Sequence, residues 1–201
     1  MSDHPPVVKL PTHQFDELSS QVLSFNWRPE IFVSQMPSPQ RIAPFSIAIE
    51  AEIEQTTGDP VGSSRLVILH DPDGNPAWDG TYRCVSLVQA DVELEMAMDP
   101  LLAEVGWNWL NDSLGQFDAI YRAASGTVTA ITSQSFGALE NSATAEIEIR
   151  SSWTPEIDER GIVPHLEAWQ QLQCFTCGLP PLAPGISMIN RRDKAKKREA
   201  R

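Results

Sequence analysis

The chain has 201 residues, of which 41% are hydrophobic, and its formal net charge at pH 7 is −12. Such a length supports one large domain with a true core, whereas no apolar run approaches the roughly 18 residues of a membrane-spanning helix, so no membrane partner is expected. Three cysteines do not form the paired framework of a secreted protein, and the first 30 residues lack a signal pattern, so we expect a cytoplasmic protein.

Charge is divided unevenly along the chain. Residues Arg191 to Arg201 hold seven basic and two acidic side chains, a net of +5, while the other 190 residues hold eight basic and 25 acidic ones, a net of −17. An acidic body repels nucleic acid, which is bound mainly through Lys and Arg, so any contact with nucleic acid is expected through this tail alone. We expect a flexible N-terminus over residues 1–12, one domain over residues 13–182 and a flexible basic tail over residues 183–201.

In the first half of the domain the sequence pattern predicts one helix followed by four strands. Apolar residues at helical spacing predict a helix over residues 13–25. Strict alternation of apolar and polar residues in the second strand indicates one core-facing and one solvated side, and the unbroken apolar run of the third indicates a strand covered on both faces. The predicted strands span residues 30–35, 45–54, 65–69 and 81–93, with a turn at 70–76 between the last two.

The second half adds two helices and two strands. Asp99 as N-cap, Pro100 at the first helical position and Gly115 as the stop predict a helix that is largely buried. Strands are predicted over residues 120–132 and 143–153, and a last helix over residues 164–177 with Gly178 as its stop. This order predicts an α+β fold, with a mostly antiparallel sheet of five to six strands and about three helices packed on one face.

Cys174 and Cys177 form a C-x-x-C pair, a spacing found in redox and zinc sites. On a helical projection Trp169 and Leu172 belong to the apolar stripe, whereas Cys174 faces the opposite, polar side. Both cysteines lie at the negative C-terminal end of the helix, where a thiolate is disfavoured, and two ligands are too few for a structural zinc site. We interpret them as incidental and expect no metal or other cofactor, with zinc and redox chemistry as the alternatives.

Few other residues indicate a site, and no hydrolase, nucleotide-binding or metalloprotease motif is present. His70 has the chemistry of a general base, although an exposed histidine beside a turn is the simpler interpretation. Arg83 either pairs with an internal carboxylate or binds an anion. Trp107 lies at the border of the apolar arc of its helix, so it is either a core residue or, with Trp78, an exposed anchor for a partner.

Several segments resemble a known family. They are DPDGNPAWDGTYR (residues 71–83), DPLLAEVGWNWL (99–110), ATAEIEIRSSWT (143–154), HLEAW (165–169) and GLPP (178–181). Together they look like an actinobacterial family of unknown function, DUF3000, over roughly residues 14–182. The resemblance implies a cytoplasmic protein with no established activity, so it carries no catalytic residue over to this chain.

We therefore expect a non-enzymatic protein-binding or regulatory module whose partner is another protein, with Trp78, Arg83 and Trp107 as the candidate binding surface. The first alternative is a small-ligand-binding protein or enzyme with a pocket near Arg83 and His70. The second alternative is an RNA-associated protein that acts through its basic tail, residues 191–201.

Overall fold

A computed structural model describes residues 13–55, 59–137 and 143–180 of the chain. In chain order its elements are α1 (His13–Ser24), β1 (Ile31–Met36), β2 (Phe45–Glu54), β3 (Pro60–Asn75), β4 (Gly80–Asp91), α2 (Leu94–Ala97), α3 (Leu102–Gln116), β5 (Tyr121–Ser133), β6 (Thr144–Pro155) and α4 (Val163–Thr176). The predicted flexible termini, residues 1–12 and 183–201, lie outside the described residues.

The six strands form one antiparallel sheet in the order β1-β2-β3-β4-β6-β5. Strands β1 to β4 pair in sequence order, whereas the chain then passes through α2 and α3 to the edge strand β5 before β6 returns between β5 and β4. The predicted α+β fold with a mostly antiparallel sheet is confirmed. In the centre of the sheet Leu66 pairs with Ile49 and with Ser86, and Val88 pairs with Ile149.

The helices pack on one face of this sheet, which we call the covered face. Residues in register point to the same side of a sheet, so the contacts of each helix identify the face on which it lies. Phe15 of α1 contacts His70, Gly106 of α3 lies against Ile149, and Trp169 of α4 reaches Ser86. No described helix packs on the other side, the open face. The open face presents Arg65, Val67 and Leu69 of β3, Arg83, Val85, Leu87 and Gln89 of β4, Glu148, Arg150, Ser152 and Thr154 of β6, and Ser125 and Thr127 of β5.

Two tryptophans fix α4 to the covered face. Trp169 Nε1 donates to Ser86 Oγ (3.0 Å), and Trp153 Nε1 donates to His165 Nδ1 (3.1 Å), while both tryptophans are 0% exposed. Each ring thus buries a large apolar surface without leaving its N–H unpaired. Burial lowers the pKa of His165 to about 4, so this imidazole is neutral at pH 7 and can accept the bond from Trp153.

Some element boundaries differ from the predictions. Strand β3 is longer than predicted, because residues 60–64 also pair with β2 and β4. Asp99 Oδ1 accepts from the Leu101 amide (2.8 Å), so it caps the turn before α3, and the helix itself begins at Leu102. Gly115 lies inside α3, while the left-handed residue that follows the helix is Asp118, with a φ of 50°. The predicted stop at Gly178 is confirmed by its φ of 62°.

The apolar content of α3 predicted a largely buried helix, and this prediction is wrong. One stripe faces the core, and it consists of Leu102, Gly106, Leu110, Ser113 and Leu114. Val105 is 40% exposed, and Trp107 and Trp109 are only partly buried. Within the described ranges, none of the helices has the length and apolar character that crossing a membrane requires.

Candidate functional site

Arg83 lies on the open face of β4, where neutral acceptors surround its guanidinium. Nη1 donates to the Ala123 carbonyl (2.8 Å) and to Thr154 Oγ1 (3.1 Å), and Nη2 donates to Ser152 Oγ (2.6 Å) and to Ser125 Oγ (3.2 Å). Arg83 is only 8% exposed, and no carboxylate of the described residues forms an ion pair with it. Buried charges are normally paired with an opposite charge, and an internal carboxylate beside Arg83 was one of the predicted alternatives. The structure has neutral acceptors there instead.

Three strands and a loop meet at this guanidinium. A bulge in β5, in which Ala123 has a φ of 50°, interrupts the ladder between β5 and β6 and places the Ala123 carbonyl against Arg83. Thr154 of β6 donates in turn to the carbonyl of Trp78, in the hairpin loop between β3 and β4. Burial lowers the pKa of Arg83, which nevertheless stays protonated at neutral pH.

Beside Arg83 the open face has an apolar depression of about 560 Å³. Val67, Val85 and Leu87 contribute its apolar lining, and Arg65 and Arg150 lie at its edges. Val85 is 40% exposed although β4 lies between β3 and β6, so its exposure is not that of an edge strand. Arg150 pairs with Glu148 (2.9 Å), whereas Arg65 has no ion pair among the described residues.

Charge divides the open face along its strands. Beyond the depression, away from Arg83, the side chains become acidic, and Asp91 of β4 is in register with Glu146 of β6. Glu148 and Glu52 lie at the same end, in register with Gln89 and Ser63. The open face therefore has an arginine end and an acidic end, although Glu50 of β2 is in register with Arg65.

The structure does not bring Trp78, Arg83 and Trp107 to one surface. The Trp107 ring lies on the covered side of β5, where a Cβ added to Gly126 would be 2.8 Å from its Cζ3 atom. Trp107 is half-buried there and belongs to the helix layer, whereas Arg83 faces the opposite side of the sheet. Trp78 is also half-buried, and it connects to Arg83 only through Thr154 and its own backbone carbonyl.

His70 is a core residue, and the prediction of an exposed turn histidine is wrong. Because β3 continues to Asn75, His70 lies within the strand, 3% exposed, with its ring stacked 4.2 Å from that of Tyr82. Burial lowers its pKa. His70 is in register with Tyr82, and Arg83 with the neighbouring Leu69, so Arg83 and His70 point to opposite faces and share no pocket.

Cys174 and Cys177 are both buried, so the polar side of α4, on which Cys174 was predicted to lie, is covered by another part of the chain. The segment that carries Arg28 crosses α4 on that side, and Arg28 Nη1 donates to Cys174 Sγ (3.4 Å). Cys177 packs against β3, where a Cβ added to Gly62 would be 2.6 Å from its sulfur. Burial raises the pKa of both thiols, that of Cys177 to about 12. No group of three potential ligands within the described residues is placed to hold a metal ion.

Sequence reasoning missed two surface features. Ser125 and Ser152 come together only through the pairing of β5 with β6, and their separate positions in the sequence give no signal of it. The other feature is a group of four exposed apolar side chains in α2, in α3 and in the turn between them. Its members are Leu94, Met98, Leu101 and Val105.

Comparison with known proteins gives one match. Residues 11–187 match the model of a family described as "Protein of unknown function (DUF3000)". No curated protein and no solved structure matches the chain.

Proposed function

The chain belongs to the DUF3000 family, whose function is unknown, and we propose that it is a non-enzymatic module that binds another protein through the open face of its sheet. The observation that supports this proposal is the exposure of Val85, at 40%, in an interior strand. A solvated face of an antiparallel sheet normally carries polar side chains. Here Val67 and Leu87 lie beside Val85 and are only half-buried, so the centre of the open face is an apolar patch.

The shape and lining of the depression favour protein binding over catalysis. It is shallow and open along the sheet, whereas a small-molecule site normally encloses most of its ligand. Among the described residues that line it there is no carboxylate, histidine or cysteine. Its serines thus have no general base beside them, which a serine nucleophile would require.

We also propose that the protein works in the cytoplasm. All three cysteines are unpaired, and each is buried in the core. Reduced thiols of this kind are typical of proteins in a reducing compartment.

The test is affinity purification of the full-length protein from its own cells, in parallel with three variants. Val85→Ser removes apolar surface from the open face, and Leu101→Ser removes an even more exposed apolar side chain from the turn before α3. The third variant ends at Asn190 and lacks the basic tail. We expect one stoichiometric protein partner with the wild type, Leu101→Ser and the truncated chain, and at least a tenfold smaller amount with Val85→Ser.

Other outcomes would replace this proposal. Equal recovery with Val85→Ser and the wild type would exclude the open face as the docking surface. Loss of all partners, including RNA, from the truncated chain would assign the function to the tail. A small molecule that co-purifies without any protein would favour the ligand-binding alternative. Thermal unfolding of each variant checks that binding is compared between folded proteins.

A further inference from the structure

We propose that Ser125 and Ser152, supported by Arg83 and flanked by Arg150, form a binding site for a carboxylate of the partner protein. This inference rests on the proposed function, because it names the chemistry that the open face recognises. The partner segment then carries an aspartate, a glutamate or its C-terminal carboxylate beside apolar side chains.

The first step is the hydrogen-bond inventory of the two serines. Ser125 Oγ and Ser152 Oγ lie 3.1 Å apart, and both accept from Nη2 of Arg83. One serine donates its hydroxyl proton to the oxygen of the other serine. The hydroxyl proton of that second serine has no acceptor among the described residues. The pair therefore presents one O–H donor at the edge of the depression, and the cation behind it polarises that donor.

The second step is the charge of Arg83. Its guanidinium is removed from water, yet all four of its hydrogen-bond acceptors are neutral. An anion bound to the serine hydroxyl would lie close to this charge and would partly compensate it. Hydrogen bonds to a charged acceptor are roughly twice as strong as neutral ones, so a carboxylate gains more here than an amide of the same shape.

The third step is the surroundings of the pair, which indicate what accompanies the carboxylate. Ser152 is in register with Val85, and Val85 with Val67, so apolar side chains lie directly beside the hydroxyls. Arg150 lies two residues before Ser152 on the same face and supplies a second, exposed cation, which is paired with Glu148 on its other side. An isolated acidic group with apolar neighbours matches both features.

The acidic end of the same face argues against a nucleic acid as the occupant. A chain of phosphates crossing the sheet would pass Asp91 and Glu146, which repel it, whereas one carboxylate occupies only the arginine end. The two acidic residues of the chain's own tail, Asp193 and Glu199, have basic residues and alanine as neighbours, so they do not match a carboxylate that lies beside large apolar side chains.

The probes are two peptides that differ only in charge, acetyl-Leu-Asp-Leu-amide and acetyl-Leu-Asn-Leu-amide. Each is titrated into isotopically labelled full-length protein while NMR follows the backbone amides of Ser125 and Ser152 and the side chain of Arg83. We expect the Asp peptide to bind about tenfold more tightly than the Asn peptide and to shift these signals. Ser152→Ala should abolish most of this preference, whereas Ser63→Ala, a serine at the acidic end of the same face, should preserve it.

Equal affinities for the two peptides, or binding by neither, would overturn the carboxylate site. So would an undiminished Asp preference in both Ser152→Ala and Arg150→Gln, the second variant leaving every bond of Arg83 intact. The two proposals fail separately. A captured partner that depends on Val85 but tolerates Ser152→Ala and Arg150→Gln would leave the docking surface standing and remove the carboxylate site. A preference for the Asp peptide without any captured protein would leave the carboxylate site standing and remove the proposed partner. A dimer in sedimentation that Val85→Ser dissociates would make a second copy the occupant.

Discussion

The covered and open faces of the sheet are built from the same strands but follow different rules. On β6 the covered face carries Ile147, Ile149 and Trp153, each 0% exposed, whereas Arg150 on the open face between them is exposed. The covered face satisfies its few polar groups internally, as in the bond from Trp153 to His165. The open face holds a buried cation with neutral partners and an apolar patch in water.

This difference separates the face that stabilises the fold from the face proposed to bind a partner. Burial of apolar side chains against α1, α3 and α4 supplies most of the folding free energy, because hydrophobic stabilisation scales with the apolar area removed from water. The exposed apolar patch contributes little stability, and it is this patch that motivates the proposed binding role, whereas Arg83 joins β4 to β5 and β6 through four hydrogen bonds. Changes to the covered face should therefore alter stability, and changes to the open face should alter binding.

The largest contrast should appear in thiol reactivity. With its pKa raised to about 12, Cys177 holds on the order of a thousandfold less thiolate at pH 8 than an ordinary thiol. Thr127→Cys adds a thiol at an exposed position on the open face. Iodoacetamide followed by mass spectrometry should therefore label this new residue and leave Cys84, Cys174 and Cys177 unmodified in the folded protein. Native labelling of Cys174 or Cys177 at a rate near that of the new thiol would contradict their burial, and labelling in urea is the control.

A matched pair of valines on β4 tests the two faces by stability. Val88 is 0% exposed on the covered face, and Val85 is 40% exposed on the open face. Val88→Ala should lower the free energy of unfolding by roughly 2 to 3 kcal/mol through lost burial and a residual cavity. Val85→Ala should lower it by about 0.5 kcal/mol or less. Urea unfolding measures both, and similar losses would mean that the open face is covered in solution.

The pH dependence of stability should follow His165. Its pKa falls from 6.5 to about 4 on folding, so the contribution of its neutral form is complete above pH 6.5 and is lost as the pH falls towards 4. Between pH 7 and pH 5 this loss amounts to about 2 kcal/mol. His165→Asn can still accept the bond from Trp153 but does not titrate, so it should lose that much less stability over the same interval. Identical pH profiles for the two proteins would show that His165 is not buried as a neutral ring.

Much of the covered face could be predicted from the sequence, because the elements that form it have local sequence patterns. Strict alternation predicted β2 at its observed ends, 45 and 54, and the left-handed Gly178 ended α4 as predicted. The helical projection gave no sign that Cys174 is buried, because a projection does not show which further segments cover a helix, and α4 also contacts the segment around Arg28. His70 was misplaced because the turn residues after it hid the continuation of β3.

The open face could not be predicted in this way, because its features depend on strand pairing. Arg83, Ser125 and Ser152 come from three strands, and their hydrogen bonds span 42 and 69 residues of chain. The order β4-β6-β5 and the bulge at Ala123 set their register, and neither has a signal in the local pattern. Arg83 was singled out by residue type alone, without its partners.

The smallest expected effect concerns the bulge that serves the open face. Ala123 has a φ of 50°, a conformation that disfavours residues with a Cβ by roughly 1 to 2 kcal/mol, whereas glycine adopts it freely. Ala123→Gly removes this strain but increases the entropy of the unfolded chain, so we expect a net gain of only about 0.5 kcal/mol in the free energy of unfolding.

Ala130→Gly, in the regular part of the same strand, is the control and should have the opposite sign, a loss of roughly 0.5 to 1 kcal/mol, since no strain is relieved there. If both variants lose stability equally, Ala123 is not strained in solution. The opposite signs would instead show that β5 tolerates an unfavourable backbone conformation where its carbonyl meets Arg83, as is expected of a segment that positions a binding site.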